Sequence, residues 1–189
     1  MEEAFMSLLL VGLILFFAIH LLPVSVSLRQ QAVERLGEYG YKGVFALVSL
    51  LGLTLIVYGM GEREYIVIWQ PTVWPQHLAL VLMLPASILL VAAYMPTNVK
   101  RYTRHPMLWG VSIWAIAHLL ANGDLGSMIL FFSFLVYSLF DMWSSNRRGA
   151  NKRQDPRPLF FDVGVVVAGT AVYALLYYLH PHISGVPVL

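Results

Sequence analysis

Six apolar runs divide this 189-residue chain, at 4–22, 44–60, 77–95, 107–121, 125–143 and 163–179. Eleven of the twelve Lys and Arg residues fall in only three of the five segments between them. A bilayer asks for about 20 consecutive apolar residues per helix, and most of the runs meet that length. The fourth is short, but the strong fifth run follows it directly across Asn122-Gly123-Asp124, so the pair reads as a helical hairpin. Composition agrees. Residues are 59% hydrophobic and 12% charged, against roughly 25% charged in soluble domains. A soluble fold of this size has too much surface to hide that much apolar area. Soluble globular, disordered and secreted disulfide classes are therefore excluded.

The basic residues orient the chain. Arg29, Arg35 and Lys42 lie in the first connection, Lys100, Arg101 and Arg104 in the third, and Arg147, Arg148, Lys152, Arg153 and Arg157 in the fifth. Only Arg63 lies on the other side. The positive-inside rule places connections one, three and five in the cytoplasm. The expected fold class is all-α: a polytopic membrane bundle of six transmembrane helices, with both termini on the non-cytoplasmic side. Residues 1–189 form one transmembrane domain in this reading. The first run is expected to stay in the mature protein, because Glu2 and Glu3 stand where a signal peptide carries basic residues. The basic segments contact lipid headgroups rather than nucleic acid.

Several connections have expected roles. The second, 61–76, carries Tyr65, Trp69 and Trp74 and should lie at the outer interface, with Pro71 and Pro75 breaking any long helix there. The fifth, 144–161, should be the most mobile. Pro85 should kink the third helix, and Gly164 and Gly169 should mark close helix packing.

With no cysteine in the chain, disulfides, thiolate nucleophiles, iron–sulfur clusters and cysteine-ligated zinc or heme are excluded. The six histidines become the candidate metal ligands. His20 and His118 lie inside apolar runs, where an ionisable residue is costly and marks a functional candidate. The plainer reading bonds each to a neighbouring carbonyl. The sharper one makes them neutral axial ligands of a b-type heme packed by apolar side chains. Di-iron chemistry needs Glu-x-x-His motifs that this chain does not carry. Arg104 and His105 precede Pro106 at the start of the fourth helix, a place suited to phosphate, carboxylate or heme propionate, or simply to a basic interfacial anchor. His77, His180 and His182 read as interfacial. Asp124 should cap the fifth helix and Asp162 the sixth, while Asp141 should pair with Arg147 or Arg148 or bind a ligand.

Three stretches resemble the NnrU family. They are His20-Leu21-Leu22-Pro23, the segment 37–43 before Val48-Ser49-Leu50-Leu51-Gly52-Leu53, and the block from Arg104-His105-Pro106 through Trp109-Gly110, Trp114 and Ala117-His118-Leu119 to Asn122-Gly123-Asp124. The family is associated with nitric oxide and nitrite metabolism in denitrifying bacteria and is similar to the heme-b zeta-carotene isomerases. The resemblance implies an integral protein of the bacterial inner membrane, a heme b cofactor, and His20 and His118 as its ligands. It also implies either nitrogen-oxide redox metabolism or isomerisation of a lipid-soluble substrate. Depth suggests another pairing. His20 lies about 5 Å from the cytoplasmic end of its helix and His118 about 18 Å, so His105 matches His20 better. Arg104-His105-Pro106-x-x-x-Gly110 also resembles the cofactor motif of isoprenylcysteine carboxyl methyltransferases, although Asp141 stands alone where those enzymes have an acidic pair. Two alternative functions stay open: a methyltransferase-like enzyme, and an assembly factor or heme carrier partnering a respiratory enzyme.

Overall fold

A computed structural model describes residues 2–61 and 64–186, with side chains from residue 6 onward. Arg63, the one basic residue expected on the outer side, lies outside the described residues. The described chain is helical: α1 (Glu2–Leu21), α2 (Val26–Gly61), α3 (Val73–Tyr94), the single turn α4 (Val99–Tyr102), α5 (Pro106–Ala121), α6 (Leu125–Arg147) and α7 (Leu159–Ser184). Five helices are long and apolar enough to cross a membrane, and α5, with 16 residues, falls short of that length. At 1.5 Å per residue α5 spans about 24 Å, against a hydrocarbon core of roughly 30 Å.

Two compact units divide the chain. The first comprises 1–67 and 124–130, the second 68–123 and 131–189. In the first, α1 packs along α2 on glycine. A Cβ at Gly12 would stand 2.7 Å from the Ile56 nitrogen, and one at Gly52 2.9 Å from the Phe16 nitrogen. One at Gly59 would strike the Leu9 backbone. Small residues are what let two helices touch where lipid removes the hydrophobic drive between them. The first connection is largely helical. After a 3-10 turn at Leu22–Val24 the chain is already helical from Val26, and the break falls at Gly37 (φ 72°, ψ 163°). That conformation is essentially open to glycine alone. Arg29, Arg35 and Lys42 therefore sit on helix, and Glu38 bridges Lys42 at 3.0 Å and Arg29 at 3.9 Å.

In the second unit α3 packs against α5 and α7. Most buried residues on α3 and α5 are small: Ala79, Ala86, Ser87 and Ala92 on α3, and Gly110, Ser112, Ala115 and Ala117 on α5, with Leu108 the large exception. Large apolar residues such as Val81, Val167 and Leu175 are exposed. Small residues inside and large apolar ones outside suit lipid as solvent. Gly169 marks close packing as expected, since a Cβ there would lie 2.6 Å from the Ile88 Cα. Gly164 does not, its nearest neighbour being the Met95 Cε at 3.9 Å. α3 runs through Pro85 as one helix.

The link 122–124 between α5 and α6 is short, as expected, but Asn122 is extended and the segment is bonded to the second connection rather than folded into a turn. Ile68 and Trp69 N–H groups both donate to the Gly123 carbonyl, at 2.8 and 3.0 Å. Asp124 caps α6 by accepting from the Ser127 N–H at 3.0 Å. Asp162 does not cap its own helix, whose N-cap is Pro158. It accepts instead from the Thr97 hydroxyl (2.6 Å), the Asn98 N–H (2.8 Å) and the Asn98 side-chain amide (2.6 Å). Asn98 also exchanges two 2.8 Å bonds with the Arg157 backbone, and the Arg153 N–H donates to the Lys100 carbonyl at 3.0 Å. The fifth connection, read as the most mobile, is thus tied at several points to the link between α3 and α5.

Candidate functional site

Two cavities in the second unit are lined by candidate residues. One opens beside His118, whose Nδ1–H donates to the Trp114 carbonyl at 2.9 Å. A carbonyl can only accept, so the proton sits on Nδ1 and Nε2 holds the lone pair. The ring stacks on Phe131 (4.4 Å, 30°), and Trp114 lies at 5.2 Å. The cavity, about 160 Å³, is lined by Gln76, Met83, Tyr173, Tyr177 and His180 among others. The sequence alone places His180 at the interface. The structure brings its ring to 6.3 Å from that of His118, because α7 continues past Leu179 to Ser184.

His20, in the first unit, has the same local arrangement. Its Nδ1–H donates to the Phe16 carbonyl at 2.6 Å and its ring stacks on Phe16 at 4.1 Å, with Phe45 at 5.0 Å. The exposed His77 does likewise with the Val73 carbonyl at 2.8 Å. The bond to the carbonyl four residues back is therefore a habit of helical histidine in this chain. What sets His118 apart is the cavity and the second imidazole.

The other cavity, about 500 Å³, opens at the start of α5 and is lined by Lys100, Arg104, His105, Asp141 and Arg153 among others. Arg104 and His105 converge on one acceptor, the Asn146 side-chain oxygen, at 3.1 and 3.0 Å. Asn146 drew no notice in the sequence, since it stands more than 40 residues away in a polar segment. Asp141 pairs with Arg148 at 3.5 Å, while Arg147 stacks over Trp143 at 4.4 Å. Burial, helped by the nearby Arg153 charge, holds the Lys100 ammonium below the ordinary lysine range. His105 and His118 stand 13 residues apart on one helix, about 20 Å by rise, so they serve different cavities.

The donor set at His118 fits a b-type heme. It offers an imidazole with its second nitrogen anchored to a carbonyl, the usual arrangement for metal-ligating histidine, among apolar and aromatic walls. The cavity is smaller than the roughly 300–1,000 Å³ of ordinary ligand pockets. It would offer heme one imidazole and an apolar wall rather than an enclosure.

Helices of membrane-crossing length, small-residue packing and an imidazole among aromatic rings define a polytopic helical membrane protein. The chain belongs to the NnrU family, whose model matches residues 8–188. It is similar to the chloroplastic 15-cis-zeta-carotene isomerases of Zea mays (29% identity over 155 residues, 71% of this chain and 42% of that one) and Arabidopsis thaliana (29% over 160 residues, 74% and 43%). The chain thus spans less than half the length of these curated relatives. No solved structure matches it.

Proposed function

We propose that this chain is a membrane-embedded isomerase of a lipid-soluble, double-bonded substrate, with b-type heme as its cofactor and His118 as a ligand. The observation that carries this is His118 itself, its tautomer set by Trp114 and its ring exposed to a cavity shared with His180. Bound there, heme would supply iron able to polarise or bind a double bond. The chain's own part is to hold the imidazole by the Trp114 carbonyl and Phe131 face, and to keep water from the apolar wall of Met83, Leu80 and Leu176. The names of the relatives suggest an elongated cis polyene as substrate. His20 is the first unit's candidate ligand and is tested on its own. A role in nitric oxide or nitrite metabolism would draw on the same heme.

The test is spectroscopic. Protein purified from heme-supplemented cells should show a Soret band, lost in His118→Ala and weakened in His20→Ala. A colourless preparation that gains no band on reconstitution would refute the heme reading. Conversion of a cis polyene by the loaded protein, without turnover of nitrite or nitric oxide, separates isomerase from nitrogen-oxide chemistry.

We further propose six crossings with both termini on the non-cytoplasmic side of a bacterial inner membrane. The distribution of Lys and Arg supports this. So does the three-residue link joining the short α5 to α6.

A further inference from the structure

The cavity at the start of α5 gathers positive charge from three places. Lys100 comes from α4, Arg104 and His105 from the link before α5, and Arg153 from the connection after α6. The only carboxylate in its lining, Asp141, is already paired with Arg148. Among the described residues no carboxylate lies within ion-pair distance of Lys100, Arg104 or Arg153. Met107 and Leu108, whose backbone N–H groups belong to the first turn of α5, also line the space. His105, the N-cap, offers them no side-chain acceptor.

We propose that this cavity binds a phosphate group, held by Lys100, Arg104 and Arg153 against the first turn of α5. The inference does not depend on the heme reading. Like charges left facing each other without a counter-ion cost free energy, and a multivalent anion removes that cost. Three full cations with free helix N–H donors exceed what one carboxylate can satisfy. They suit the several strong acceptor oxygens and double charge of a phosphate. Asn146 supports the site by holding Arg104 and His105 on one oxygen. Arg104, Met107 and Tyr94 are exposed at its mouth. The phosphate can therefore belong to a soluble ester or to an anionic lipid headgroup.

Two arms distinguish the sources. In the first, the full chain in phosphatidylcholine nanodiscs is titrated with inorganic phosphate and pyrophosphate, with chloride at matched ionic strength as control. In the second, native mass spectrometry counts phosphatidylglycerol and phosphatidylcholine adducts of detergent-purified protein. Saturable binding in the first arm assigns a soluble ester, and retained phosphatidylglycerol alone assigns a headgroup. In either case Lys100→Gln with Arg153→Gln should weaken binding roughly tenfold or more. Arg104→Gln should weaken it less, and Arg157→Gln, a charge outside the lining, should leave it unchanged. Far-UV circular dichroism and gel filtration confirm that each variant folds. Binding from neither source overturns the proposal. So does an equal loss in Arg157→Gln, or acetate binding as tightly as phosphate.

Discussion

At the scale of single residues, what matters here is which polar atom finds which partner. Asp162 shows it. It sits in the first turn of α7, yet its three donors come from Thr97 and Asn98. Asp162→Asn keeps the shape but removes the charge and turns one acceptor into a donor facing donors. The melting temperature should fall, and more than in Thr97→Val, which removes a single bond; a thermal melt of both variants checks this. Gly123→Ala should also destabilise, by about 1–3 kcal/mol, because the added methyl would run into the Trp69 carbonyl. Its readout is the melting temperature in detergent. Some of this was legible from sequence. Asp124 reads as a cap because a cap and its N–H are three residues apart. The partners of Asp162, His180 and Asn146 are not legible, because they lie 41 to 65 residues away. Nothing local encodes such a meeting.

Among the elements, the helices follow from their apolar runs, and their contacts follow from glycine. Gly52→Leu or Gly59→Leu should push α1 from α2, since the new side chains would occupy the space of the Phe16 and Leu9 backbones. Overpacking of this kind costs about 1–3 kcal/mol, occasionally more. Reduced folded yield and a lower melting temperature would register it, while Gly43→Leu, with open space around it, should be tolerated. Gly37→Ala tests the break in α2. Alanine cannot easily take φ 72°, ψ 163°, so a cost of about 1–3 kcal/mol is expected, or a straightened helix with altered circular dichroism. The apolar runs predict where helices cross because lipid demands unbroken apolar length. They do not predict the helix at 26–36. It carries three charges, Arg29, Glu34 and Arg35, and polar segments at a membrane surface are free to be helix or loop.

Across the whole molecule, the testable quantity is sidedness. Reporter enzymes fused after residues 40, 100 and 150 should report the cytoplasm, and fusions after residues 66 and 123 the opposite side. Swapping that pattern for a five-crossing one would assign α5 as a re-entrant helix. The sequence by itself determined that the solvent is lipid, that the fold is helical and where each apolar run lies. Those properties are additive along the chain, because each residue meets the bilayer on its own account. It also marked His118 and Arg104-His105 by their cost or position. Only the tertiary structure decided that His118 shares a cavity with His180, and that Lys100 and Arg153 face the same space as Arg104. Helix packing sets those meetings through close contacts such as Gly169 against Ile88. Which faces meet depends on shape across the whole interface, and no stretch of sequence read alone contains it.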